Sequence, residues 1–131
     1  MIAVDTNVLV RLLTGDEISQ ATAARSLFTS ESVWIAKTVL LETDWVLRSL
    51  YGYEHSAVRD AFAGVLGLDN VQAEDEASVA EALALAQHGM QFADAIHLSS
   101  RPAGAAFVSF DKTLIRRARR AGVRGVSPVP I

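Results

Sequence analysis

Short apolar runs recur along this chain, and the segments between them repeat their apolar residues every three to four positions. That alternation limits the fold more than any single residue does. Ile2-Ala3-Val4, Val33-Trp34-Ile35-Ala36, Asn70 to Ala73, Ala105 to Phe110 and Val126-Ser127 read as strands. A helix is expected from Asn7 to Leu13, stopped by Gly15, and a second, capped by Asp16, running to about Thr29. Further helices are expected over Thr38 to Tyr51 and His55 to Leu66. Glu74, Asp75 and Glu76 should open a long Ala/Leu helix closed by His88-Gly89, where negative charge meets the helix dipole. Ala93 to Ser100 and a basic helix from Asp111 to Ala121 complete the set. A chain that returns through a helix enters the next strand in the same direction. The expected fold is therefore α/β: a single three-layer α/β/α domain over residues 1–131 with a mostly parallel central sheet.

The 131 residues suit one domain, and 50 % apolar with 21 % charged residues is a globular composition. With no cysteine, disulfide scaffolds, Cys-ligated zinc, iron–sulfur clusters and thiol catalysis are excluded. No run approaches the ~20 apolar residues that span a bilayer. Asp5 follows the first apolar run at once, so no apolar signal segment is expected, and a cytoplasmic location without a membrane partner is. The net charge is −3, but it is unevenly placed. Residues 1–100 carry five basic and fourteen acidic side chains, whereas residues 101–131 carry seven basic side chains and one acid. Such asymmetry fits a polyanionic partner, and it fits a solvated arginine face equally well.

Four acids stand where ligands bind in open α/β sheets, near the carboxyl ends of strands. Asp5 directly follows the first strand and Asp111 the late one, positions at which Asp also caps helices. Glu42 has Thr38, Val39, Trp45 and Val46 as its helical neighbours. That places it on a mostly apolar face, with no basic residue one turn away. A buried carboxylate there requires a cation or a distant arginine. The alternative is a helix rotated so that Glu42 meets water. Asp94 sits in the first turn of its helix among Phe92, Ala93, Ala95 and Ile96, which suggests a site sunk into the protein. Clustered carboxylates repel one another, and hard oxygen donors without sulfur select Mg²⁺ or Mn²⁺.

Four segments carry a resemblance. Met1-Ile2-Ala3-Val4-Asp5-Thr6-Asn7-Val8-Leu9, Leu40-Leu41-Glu42-Thr43, Phe92-Ala93-Asp94-Ala95-Ile96-His97-Leu98 and Val108-Ser109-Phe110-Asp111 resemble the four acidic motifs of PIN domains. The resemblance is greatest to VapC toxins of toxin–antitoxin pairs. It implies a Mg²⁺- or Mn²⁺-dependent endoribonuclease that cleaves RNA phosphodiesters through metal-activated water, leaving a 5′-phosphate and a 3′-hydroxyl. It implies Asp5 and Asp94 as principal metal ligands, with Glu42 and Asp111 acting directly or through water. It implies supporting roles for Asn7 and Ser109, Asn7 orienting Asp5 or meeting substrate and Ser109 bonding to an acid or a bound water. Asn7 reads equally as a helix-start residue. A VapB-type antitoxin and a homodimer are the implied protein partners. A DNA-directed nuclease and a non-cleaving scaffold on the same fold are the alternatives.

Other residues read two ways. His97 shares a helix face with Asp94 and is expected to be a structural, hydrogen-bonding histidine rather than a ligand. Arg116, Arg117 and Arg120 follow Asp111 on one helix and either meet RNA phosphates or form a solvated face. Val8, Leu9, Leu12, Leu13, Phe28, Leu40, Trp45 and Leu50 are more apolar side chains than a small core needs, so some should face a partner.

Overall fold

A computed structural model describes all 131 residues, Met1–Ile131. The chain forms two compact units, Met1–Glu76 and Ala77–Ile131. Every strand ladder in it is parallel, as the alternation of strands and helices requires.

The first unit runs β1 (Ile2–Ala3), α1 (Thr6–Thr14), α2 (Ile18–Ser30), β2 (Val33–Ile35), α3 (Lys37–Ser49), α4 (His55–Leu66) and β3 (Val71–Ala73). The sheet order is β1-β2-β3, with Ile2 opposite Val33 and Val33 opposite Val71. As the middle strand, β2 has to be apolar on both faces, and Val33 and Ile35 are fully buried. Leu9 of α1, Leu40 and Leu47 of α3, and Phe62 of α4 are buried with them. Small residues on the inner face of α2, Ala21 and Ala24, are buried where α1 and α2 pack. Gly15 ends α1 with φ 66°, a left-handed conformation that glycine adopts without a Cβ clash.

The second unit runs α5 (Glu76–Gln87), α6 (Phe92–Ser99), β4 (Phe107–Ser109), α7 (Lys112–Arg120) and β5 (Val126–Pro128). β4 and β5 pair in parallel, Phe107 opposite Val126, with α7 as the crossover. Leu114, Ile115 and Ala118 form the buried stripe of α7 and leave its arginines on the other faces.

Two caps differ from expectation. Glu17, not Asp16, caps α2, its carboxylate accepting the Ser19 and Gln20 amides at 3.3 and 2.8 Å. Asp16 is engaged by side chains instead. Glu74 does not open α5. Its amide donates to the Ile35 carbonyl at 2.8 Å, and its carboxylate accepts the Lys37 amide at 2.9 Å. Glu74 thereby caps α3, whose own N-cap residue Ala36 has no side chain to do so. Only Glu76 remains as a first-turn acid of α5.

Candidate active site

In the first unit the parallel sheet delivers Asp5 to the carboxyl end of β1, where it becomes the N-cap of α1. Its carboxylate accepts the Thr6 amide at 2.8 Å. The capping reading and the site reading of Asp5 are therefore both satisfied, because a carboxylate has further lone pairs. Helix α3 leaves the carboxyl end of β2 and carries Glu42 in its second turn. The buried hydroxyl of Thr6 donates to Glu42 Oε1. Asp5, Thr6 and Glu42 together line a cavity of about 360 Å³ with Asn7, Arg11 and Tyr51 among its other walls. The same three residues line a second hollow with Thr38 and Val39.

Glu42 is exposed, which corrects the buried face expected for it. The buried stripe of α3 is Leu40, Thr43, Asp44 and Leu47. The buried acid of this helix is Asp44, only 3 % exposed at its side chain and paired with Arg48 through bonds of 3.0 and 2.9 Å. That pair holds the Arg48 guanidinium above its ordinary pKa through the Asp44 hydrogen bonds. Trp45 and Leu50 stand 55 % and 67 % exposed, whereas Leu9, Phe28 and Leu40 belong to the core. The apolar surplus thus divides between core and surface.

In the second unit Asp111 lies at the carboxyl end of β4 and caps α7, its carboxylate accepting the Leu114 amide at 3.0 Å. Ser109 bonds not to a carboxylate but to the backbone beside one, its Oγ accepting the Asp111 amide at 2.9 Å. Asp94 is half-buried in the first turn of α6. Burial raises its pKa, the charge of Asp111 raises it further, and neighbouring His97 and Arg117 pull the other way. Asp94 and Asp111 therefore stand close enough to repel. His97, expected to be a hydrogen-bonding structural residue, is exposed and forms no hydrogen bond.

The arginines of α7 divide as well. Arg116 and Arg120 are exposed, and Arg117 is half-buried beside the charge of Asp94. Arg119 is pinned to the Val126 carbonyl at 3.1 Å and so belongs to the fold. Asn7 is exposed on the cavity wall and makes no hydrogen bond to Asp5. Thr6, not Asn7, is the polar neighbour that organises the first acid pair. Its place directly after Asp5 was visible in the sequence, but its long-range partner was not.

No group of three or more His, Asp or Glu side chains is arranged as a ready metal-binding cluster. The donor chemistry nonetheless fits a hard divalent cation. None of Asp5, Glu42, Asp94 and Asp111 is in a salt bridge. Asp5 and Glu42 open on one cavity, and Asp94 and Asp111 are held together against their mutual repulsion. Carboxylate oxygens outside salt bridges are the hard donors that Mg²⁺ and Mn²⁺ bind.

The model of the PIN domain family matches residues 2–120, a span that includes all four acids. The chain belongs to the PIN domain family. PIN domains are nucleases that generally depend on divalent metal ions. No curated protein matches the chain. No helix is long and apolar enough to cross a membrane.

Proposed function

We propose that this PIN domain, a single domain over residues 1–131, is a Mg²⁺- or Mn²⁺-dependent endoribonuclease and the toxin of a VapBC-type pair, acting in the cytoplasm. The observation that carries the reading is the set of four acids, none of them in a salt bridge, all within the span that matches the PIN domain family. Asp5 and Asp94 would be the principal metal ligands, and Glu42 and Asp111 would act directly or through water. When bound, the divalent ion supplies a Lewis acid that activates water and offsets charge on the leaving oxygen. Thr6 fixes the rotamer of Glu42, and Ser109 fixes the backbone turn that presents Asp111. Exposed Arg116 and Arg120, with Arg117, offer charge to RNA phosphates. Asn7 is free on the cavity wall to meet substrate. Trp45 and Leu50 supply exposed apolar area for a VapB-type antitoxin or a second copy of the chain.

The test is cleavage of mixed tRNA and rRNA by the purified protein, freed of any antitoxin, with Mg²⁺, Mn²⁺ or EDTA. Metal-dependent cuts with 5′-phosphate and 3′-hydroxyl ends, absent in Asp94→Asn, are expected. Equal activity in wild type and variant would assign the cuts to a contaminant. Cleavage of DNA alone would replace the substrate. Binding without cleavage would favour a scaffold.

A further inference from the structure

The cavity that holds Asp5 and Glu42 has one cationic residue in its lining, Arg11. Arg11 is in the last turn of α1, and its side chain is 28 % exposed. Residues from three other places fix its guanidinium. Nε donates to Gln20 Oε1 at 2.8 Å, and Nη1 is shared between Asp16 Oδ1 at 3.3 Å and the Tyr51 hydroxyl oxygen at 3.2 Å. The Tyr51 hydroxyl in turn donates to Asp16 Oδ2 at 2.5 Å, and the Thr14 hydroxyl donates to Asp16 Oδ1 at 3.0 Å. These bonds hold the Asp16 carboxyl below its ordinary range, with the Tyr51 bond as the largest cause, so Asp16 remains a charged anchor. Nη2 of Arg11 alone has no partner.

A solvent-accessible ion pair adds little to stability. What the network does achieve is a fixed orientation for a planar fork that would otherwise sample many rotamers. Arg11 lines the cavity of two carboxylates, which by themselves would repel a phosphodiester. Arg11 also lines a hollow of about 300 Å³ with Val8, Ala24 and Leu27 among its other walls. A cationic side chain that lines both an acidic cavity and an apolar one is placed to hold a backbone phosphate where a nucleic-acid strand passes from one to the other.

We propose that Arg11 is a phosphate-binding residue of the substrate site, presented by Asp16, Gln20 and Tyr51 and contributing Nη2 to a phosphate of single-stranded RNA beside Asp5 and Glu42. The ribonuclease reading supplies the substrate class, but the contact is measurable without cleavage. The probe is a short fluorescent single-stranded ribo-oligonucleotide of mixed sequence, titrated by anisotropy in EDTA over a range of salt. Arg11→Met should weaken binding about tenfold and reduce the salt slope by about 0.7, the single-strand value for one phosphate contact. Arg11→Lys, which keeps the charge and loses the fork, should fall between. Tyr51→Phe, which keeps the guanidinium and removes the hydroxyl bonded to both Arg11 and Asp16, should weaken binding about twofold to threefold, since the Asp16 and Gln20 bonds to Arg11 remain.

Near-ultraviolet circular dichroism and melting establish that each variant is folded. Should Arg11→Met not fold, Arg11→Lys and Tyr51→Phe decide. With Mg²⁺, the loss should appear in KM more than in kcat. Binding and salt slope unchanged in the folded variants would overturn the assignment, as would an absence of binding by the wild type. If the wild type cleaves RNA and Arg11→Met binds normally, Arg11 falls and the ribonuclease stands. If the wild type binds through Arg11 and cleaves nothing, the ribonuclease falls and the phosphate site stands.

Discussion

The two units each carry a pair of acids, and the pairs are held in opposite ways. In Met1–Glu76, Asp5 and Glu42 are braced by donors, the Thr6 amide on one and the Thr6 hydroxyl on the other. A single residue thereby aims two carboxylates. In Ala77–Ile131, Asp94 is half-buried and faces the charge of Asp111, so its ionised form is disfavoured. The first pair is oriented by hydrogen bonds, and the second is kept under electrostatic tension. Binding residues are commonly held at some expense to the fold, and here that expense is concentrated in the second unit.

The largest effect expected from this contrast is at Asp94. Asp94→Asn should lower cleavage on the order of 10³-fold or more, the scale of deleting a group essential to the chemistry. The same change should raise the melting temperature of metal-free protein. An acid whose folded pKa lies above its unfolded value loses stability as pH rises through that interval. The advantage of Asp94→Asn should therefore open above the ordinary value of 3.8 and be absent below it, as melting across pH would show. Asp5→Asn should give no such gain, because its carboxylate caps α1. A gain in both would erase the distinction between the pairs.

Next in size is Asp44, two residues from Glu42 on the same helix and opposite to it in role. Asp44→Ala should cost about 2–3 kcal/mol by denaturant unfolding, because it strands Arg48 without its buried partner. Below the new melting point, cleavage per folded molecule should be unchanged. Thr6→Val preserves shape and removes the donor to Glu42. It should lower kcat about tenfold with little change in KM, the scale of one hydrogen bond to a charged group. The smallest effect is at Thr43, whose buried hydroxyl has no hydrogen-bond partner. Thr43→Val should leave cleavage alone and raise the melting temperature slightly, by about 1–2 °C, since an unpaired buried hydroxyl opposes folding.

Much of this was legible in the sequence because it is local. Apolar runs such as Val33-Trp34-Ile35 form strands as expected, Asp5 and Asp111 stand at the carboxyl ends of β1 and β4 as expected, and the family match spans all four acids. The phase of α3 was not legible. Val39, Leu40, Leu41, Trp45, Val46, Leu47 and Leu50 spread apolar side chains around most of its circumference. Periodicity alone could not show that Asp44 turns inward and Glu42 outward. Partnerships distant in sequence were equally hidden. Nothing local links Thr6 to Glu42, Glu74 to the Lys37 amide, or Arg11 to Tyr51. The cap exchange between Asp16 and Glu17 follows from the same cause, since Arg11, Thr14 and Tyr51 draw Asp16 away from the helix end.

The most direct test of the central claim is a side-by-side cleavage assay of wild type, Asp5→Asn and Asp94→Asn on the same RNA, with Mg²⁺, with Mn²⁺ and with EDTA. Metal-dependent cleavage by the wild type and none by either variant is the predicted result, since Asp5 and Asp94 are both proposed as metal ligands. Full activity in a folded Asp5→Asn or Asp94→Asn protein, or wild-type cleavage that persists in EDTA, would contradict it.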